Sequence, residues 1–327
     1  MADVLILGGT GWLGGRIAAR WGERGAEGGA RVTCVARGGR EAPEGARLVV
    51  ADRSLPAAYD ELAGRDWDEI VDVSSHPRHV QEAVDALGDR TAHWTYVSSL
   101  SVYAANDRVD TDESERLAEP AEGGDPGDYS RAKAACEGSV AALGRRGAVV
   151  RPGLIVGPGD PTDRFGYWPA RFALAGDEPV LVPSGEGLRA QVIDVDDLAE
   201  FVVDAGARAW HGVVNAIGPS VPLEEVLDST REVAGHTGDV VRVPPSWLEA
   251  HEVAPWAGPR SLPLWLPDDM PGFATRRNDA YLEAGGRIRP LAETISRVLA
   301  DERARGLERE RHSGLTRDEE LDLLARV

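Results

Sequence analysis

The sequence predicts an α/β fold: a Rossmann-type, doubly wound parallel sheet with a smaller C-terminal substrate-binding cap. Three observations carry this. Short β-rich runs alternate with helical patterns through the first half of the chain, as βαβ units do. A glycine-rich turn comes directly after the first of those runs. Past Gly157 the texture changes, and proline and tryptophan become frequent.

The elements run in order along the chain. "DVLILG" (3–8) reads as the first strand and "WLGGRIAARWGERG" as the helix it feeds. "ARVTCVARG" (30–38), "ARLVVAD" (46–52), "WDEIVDVSS" (67–75) and "HWTYVSS" (93–99) are the next four strands. Between the last two, Val80, Ala83, Val84 and Leu87 recur at helical spacing. A helix from about Tyr129 to Arg146 leads into a sixth strand, "AVVRPGLIVG" (148–157). Later, "QVIDVDDLAEFVVDAG" and "HGVVNAIG" read as a return to the main sheet. The expected division is a dinucleotide-binding domain over 1–157 with returning segments near 190–218. A cap would be built from 158–189 and 219–300, and a charged helical tail from 301–327.

Composition narrows the function. The chain has 327 residues, 42 % apolar and 28 % charged, which is ordinary globular make-up. Its longest apolar runs fall far short of the ~20 residues that span a bilayer, and no signal segment is read at the N-terminus. Two cysteines, Cys34 and Cys136, form no CxxC, and the seven histidines form no ligand cluster, so no metal is expected. A net charge of −19 repels phosphate backbones and argues against nucleic acid as a partner. A cytoplasmic enzyme acting on a small molecule is the expectation.

Residues Gly8, Gly9, Thr10, Gly11, Trp12, Leu13 and Gly14 form a strand–turn–helix glycine loop. Glycine permits the positive φ of such a turn and lets backbone amides approach a pyrophosphate at the helix N-terminus. No acid stands between Arg31 and Arg40 at the end of the second strand, where an NAD site usually carries a carboxylate for the ribose. Arg37, with Arg40 nearby, would suit a 2′-phosphate, so NADP(H) is expected in preference to NAD(H). Asp52, closing the third strand, is a candidate contact for the adenine or else a cap on the next helix.

Lys133 is the single lysine in the chain, and it lies four residues after Tyr129. That spacing puts both on one helical face. A tyrosine with a pKa near ~10 needs about 4 kcal/mol of help to act near neutrality. A cation ~4 Å away at an effective dielectric of ~20 supplies about that much. "YVSSLSVYA" (96–104) places Ser98, Ser99 and Ser101 at the C-terminal end of a strand, where open α/β sheets hold ligands.

Together "GGTGWLG", "YVSSLSVYA", "YSRAK" and "RPGLIVGPGD" resemble the extended short-chain dehydrogenase/reductases, the NAD-dependent epimerase/dehydratase family, over residues 1 to about 300. The resemblance implies Ser99, Tyr129 and Lys133 as the catalytic set. It implies cofactor contacts at Lys133, Pro152 and Gly153 beside the glycine loop. Arg53 is a further candidate with Arg37 and Asp52, as are Ser74 and Ser75, where the fourth strand ends "VDVSSHP" and departs from the family's more usual apolar ending. The resemblance also implies a homodimer. Ser99-Leu100-Ser101 stands where sugar-nucleotide dehydratases carry Thr-Asp-Glu, which argues against dehydration. The expected activity is NADPH-dependent reduction of a ketone or related carbonyl. The alternatives are an NAD-dependent sugar-nucleotide epimerase and a cofactor-binding protein without chemistry. Ser101, Asp163, Arg164, Tyr167, Trp168, Arg189 and Gln191 are the candidate substrate contacts. Trp247, Trp256 and Trp265, nine residues apart, are read as packing anchors.

Overall fold

The computed structural model describes residues 1–26 and 29–327. Seven parallel strands form the central sheet: β1 (Ala2–Leu7), β2 (Ala30–Ala36), β3 (Arg47–Val50), β4 (Trp67–Asp72), β5 (Thr91–Val97), β6 (Gly147–Pro152) and, later in the chain, β11 (Gly212–Ala216). Their order across the sheet is β3-β2-β1-β4-β5-β6-β11. Strand order reverses between β1 and β4, and that switch opens a crevice at the C-terminal edge.

Alternation along β1 shows how the layers are built. Val4 and Ile6 pack with Ile17, Ala18 and Trp21 of α1 (Trp12–Ala26) and with Leu198, Phe201 and Val202 of α5 (Val195–Ala207). Leu5 and Leu7 point to the opposite face. There they meet Val80, Ala83, Val84 and Leu87 of α2 (Pro77–Leu87) and Cys136 and Val140 of α3 (Tyr129–Ala141). Each such fully buried aliphatic contributes about 1.5–3 kcal/mol. The helical spacing read at Val80–Leu87 is thus the face that meets the sheet.

Beyond β6 the chain makes short pieces. β7 (Leu154–Val156) pairs with β10 (Val192–Asp194), outside the main sheet, so of the two returning segments only β11 joins it. The cap carries α4 (Tyr167–Ala175), α6 (Leu223–Ala234) and α7 (Pro245–Ala250). Its ladders are β8 (Val180–Pro183) with β13 (Val240–Val243), β9 (Arg189–Ala190) with β12 (Val221–Pro222), and β14 (Ala254–Trp256) with β15 (Ser261–Pro263). Trp168, Trp265, Phe165 and Phe172 fill its core.

The C-terminal part comprises α8 (Asp279–Glu283), α9 (Leu291–Arg305) and α10 (Arg317–Leu324). Ile295, Val298, Leu315 and Leu323 pack it into the cap core, and charge ties its segments together and to Asp163. Buried Glu302 pairs with Arg305, Arg309 and Arg311, and Asp163 accepts from the backbone of His312 (2.9 Å) and from Arg309. No helix among the described residues is long and apolar enough to cross a membrane. Among them, too, no group of three His, Cys, Asp or Glu could hold a metal; His76 and His79 stack at 4.1 Å.

Candidate active site

The glycine loop is shaped by close contacts that only glycine allows. Gly8 sits at φ 98°, and its carbonyl accepts from Gly11 (3.0 Å). A Cβ on Gly9 would lie 2.5 Å from Cys34 Sγ, and one on Gly14 would strike the Gly8 carbonyl. The turn therefore presents the first-turn amides of α1, which have no partner inside the helix, to the crevice. That cradle fits a dinucleotide pyrophosphate. Trp12 Nε1 (2.9 Å) and Arg16 Nη2 (3.0 Å) both donate to the Pro158 carbonyl, fastening the loop to the segment that leads into the cap.

A cavity of about 410 Å³ begins at this loop. Its walls include Gly11, Trp12, Leu13 and Gly14 on one side and Ser98, Ser99, Ser101, Tyr129 and Lys133 on another, closed by Pro152, Gly153, Thr162, Arg164, Trp256 and Phe273. Residues distant in sequence meet here because β5 and α3 present them at the same sheet edge. Asp128 caps α3 by accepting from the Arg131 amide (3.1 Å), which puts Tyr129 at the helix's first position. Ser99 precedes a 3₁₀ turn, Leu100–Val102, and its Oγ accepts from the Ser101 amide (3.1 Å).

The electrostatics differ from the sequence expectation. Lys133 Nζ donates to the carbonyls of Val97 (2.8 Å) and Ser74 (3.0 Å) and lies 4.9 Å over the Tyr96 ring, 6.0 Å from the centre of the Tyr129 ring. Burial lowers its pKa to about 8. Tyr129 is 49 % exposed overall, yet its hydroxyl end is enclosed enough that burial raises its pKa. Contact with Ser99 and the charge of Arg164 pull the other way. Arg164 thus adds positive charge at Tyr129 that the spacing of Tyr129 and Lys133 does not reveal.

Several expected contacts lie elsewhere. Arg53 is buried in a two-pronged pair with Asp72 (2.9 and 2.6 Å) and donates to Tyr59 and the His79 carbonyl, so it is scaffold rather than a cofactor contact. Asp52 accepts from the Ser54 amide (2.9 Å) and hydroxyl (2.7 Å) and so closes a local turn; no helix lies between β3 and β4 for it to cap. Ser74 serves through its carbonyl, and Ser75 is exposed. Asp163 is spent on the C-terminal arginines. Tyr167 and Trp168 are cap core, with Trp168 Nε1 held by the Pro263 carbonyl (2.8 Å). Arg189 is bonded to Ser220 (2.6 and 2.8 Å), and Gln191 brackets Arg276 and Gly218. Of the seven substrate candidates, only Ser101 and Arg164 line this cavity. Trp256, read as a packing anchor, lines it as well, while Trp265 is buried core. Of the missed residues, Thr162 and Phe273 come from irregular segments and Trp256 from the end of the three-residue β14, too short for a side-chain period to be read.

Comparison with known proteins matches residues 4–216 to the NAD dependent epimerase/dehydratase family. No protein of curated function matches the chain in sequence. Among solved structures, the Bordetella bronchiseptica enzyme WbmH in complex with NAD+ is similar at 18 % identity and a TM-score of 0.70, covering 93 % of this chain and 98 % of that one. UDP-N-acetylglucosamine 4-epimerase from Bacillus cereus is similar at 16 % and 0.68, over 93 % and 100 %. The NAD dependent NDP-hexosamine 5,6-dehydratase TunA is similar at 18 % and 0.66, over 94 % and 100 %.

These findings overturn the expected NADP(H) preference: the family is described as NAD dependent, and WbmH and TunA are described with NAD. The physical reason lies at the β2 edge. Arg37 is exposed, and its charge acts on Asp52, whose pKa is lowered chiefly by its bonds to Ser54. An ionised Asp52 carboxylate within reach of the Arg37 charge opposes a 2′-phosphate there. The chain belongs to the NAD dependent epimerase/dehydratase family, Rossmann-fold oxidoreductases that work with a nicotinamide dinucleotide.

Proposed function

We propose that the protein is an NAD-dependent epimerase of nucleotide-linked sugars, in which hydride leaves the substrate and returns to it on one retained cofactor. The observation that carries this reading is the shared cavity, where the pyrophosphate loop and the Ser99–Tyr129 pair face one enclosed space. Relatives described as 4-epimerases of UDP-sugars point the same way. Net reduction of a ketone rested on NADP(H), and that support is gone.

The chain's own residues supply the acid–base work. Ser99 Oγ donates to the substrate oxygen and holds it beside Tyr129. Tyr129 takes the hydroxyl proton as the alcohol becomes a carbonyl, and returns it on the reverse transfer. Tyr129 must start this step as the phenolate and becomes neutral on taking the proton; the Arg164 charge stabilises that starting phenolate. Lys133, anchored on two carbonyls, has one further N–H for the cofactor's ribose. Bound NAD supplies the hydride acceptor and, in reduced form, the donor.

The test is to denature the purified protein, quantify the released dinucleotide, and monitor UDP-glucose and UDP-N-acetylglucosamine by proton NMR. NAD near one per chain, with the epimer formed without added cofactor, is expected. Turnover that consumes NADPH mole for mole sinks the reading.

A further inference from the structure

We propose that Arg164 is the seat for an oxyanion carried by the substrate, either a phosphate of a nucleoside diphosphate sugar or a carboxylate on the sugar. The choice of substrate rests on the epimerase reading; the seat itself rests on geometry. Most enclosed arginines elsewhere in the molecule are matched to carboxylates: Arg53 to Asp72, Arg151 to Glu137, Arg289 to Asp197, Arg309 to Glu302. Arg276 is not, but it spends its guanidinium on Thr111, Asn106 and the Ala105 carbonyl. Arg164 pairs with no carboxylate among the described residues. Its one side-chain bond runs from Nε to Thr162 Oγ1 (3.2 Å), and neither Nη has a partner among those residues.

The arrangement is braced rather than loose. Thr162 Oγ1 donates onward to Asp160 Oδ2 (3.0 Å), and the Thr162 amide occupies Oδ1 (2.8 Å). The chain Asp160–Thr162–Arg164 therefore fixes the Nε side of the guanidinium. Its flat face lies 5.0 Å over the Trp256 ring, and Phe273 holds that ring edge-on at 5.1 Å and 83°. Trp256 itself stands at φ 68°, a conformation that a bulky residue adopts only when its surroundings hold it. What remains free is the two-pronged Nη fork, in the cavity that Ser99 and Tyr129 also line. A planar fork suits paired bonds to a carboxylate or phosphate, and the one carboxylate whose charge reaches Arg164, Asp160, has both oxygens held by Thr162. In a chain of net charge −19, an anionic substrate needs a local cation of this kind.

The experiment is calorimetry on the NAD-loaded protein with three probes: UDP-glucose, inorganic pyrophosphate and glucuronate. Arg164→Gln is expected to weaken whichever probe binds by about 10- to 100-fold, with bound NAD and thermal midpoint unchanged. Arg164→Lys should recover only part of the loss. Binding of UDP-glucose and pyrophosphate identifies phosphate as the occupant; binding of glucuronate identifies carboxylate. Affinity within twofold of wild type in Arg164→Gln, or no probe binding to wild type, overturns the proposal. Arg164-dependent binding in a protein that epimerises no sugar nucleotide would instead sink the epimerase reading and leave the seat standing.

Discussion

The cavity wall and the scaffold just behind it treat positive charge in opposite ways. Behind the wall, Arg53 and Arg151 each hold a buried carboxylate with two parallel bonds. On the wall, Lys133 is given only main-chain carbonyls and Arg164 only a threonine hydroxyl and a tryptophan face. The difference teaches how to separate frame from site. A cation with its charge matched has nothing left to offer a ligand. A cation with neutral partners keeps its field directed at whatever enters.

Changes on either side of that divide should therefore fail differently. Tyr129→Phe removes one hydroxyl from the wall, and epimerisation is expected to fall by about 10²- to 10⁴-fold. The urea unfolding free energy should move by less than about 0.5 kcal/mol, because the side chain is half open. Arg151→Met should do the reverse. It strands Glu137 in the interior and should cost about 3–5 kcal/mol in urea unfolding, with bound NAD retained in the fraction that folds. If both variants lost activity and stability together, the divide would be false.

Lys133 offers a sharper test because its charge is buried with no carboxylate against it. Its folded pKa of about 8 lies below the ordinary 10.5, so between those values the unfolded chain binds the extra proton. Stability attributable to Lys133 thus rises with pH across that window, by at most about 1.4 kcal/mol per unit. Compared with Lys133→Met, wild-type unfolding free energy should climb from pH 8 to 9.5; a constant difference would contradict the burial. The smallest effect is expected at Arg37→Ala, where NAD affinity by calorimetry should change by less than about twofold.

The β-sheet half was legible because its rules are periodic. Alternation exposed β1, helical spacing exposed the buried face of α2, and the glycine loop announced its own geometry. Ser99, Tyr129 and Lys133 could be placed at one edge because parallel strands all end there. The electrostatics between them were not legible. Four residues along a helix bring Lys133 near Tyr129, but only the fold places the Ser74 and Val97 carbonyls where they draw Nζ away. In the cap, Tyr167, Trp168, Arg189 and Gln191 had suitable chemistry and turned inward, whereas Trp256 turned to the cavity. Tertiary packing sets those directions on a short helix and on or beside two- and three-residue strands, and no spacing in the sequence records them. The tail was opaque for a related reason: Arg309 and Arg311 acquire their role only through Asp163 and Glu302, the first of them far back along the chain.

The most direct test is stopped-flow absorbance at 340 nm after mixing the purified NAD-loaded protein with UDP-glucose. A rise and return to baseline, with the epimer accumulating and total dinucleotide unchanged, is the result predicted for hydride that leaves and comes back in one cavity. Reduced cofactor that accumulates in step with oxidised product, or turnover only when NADPH is added, would contradict it.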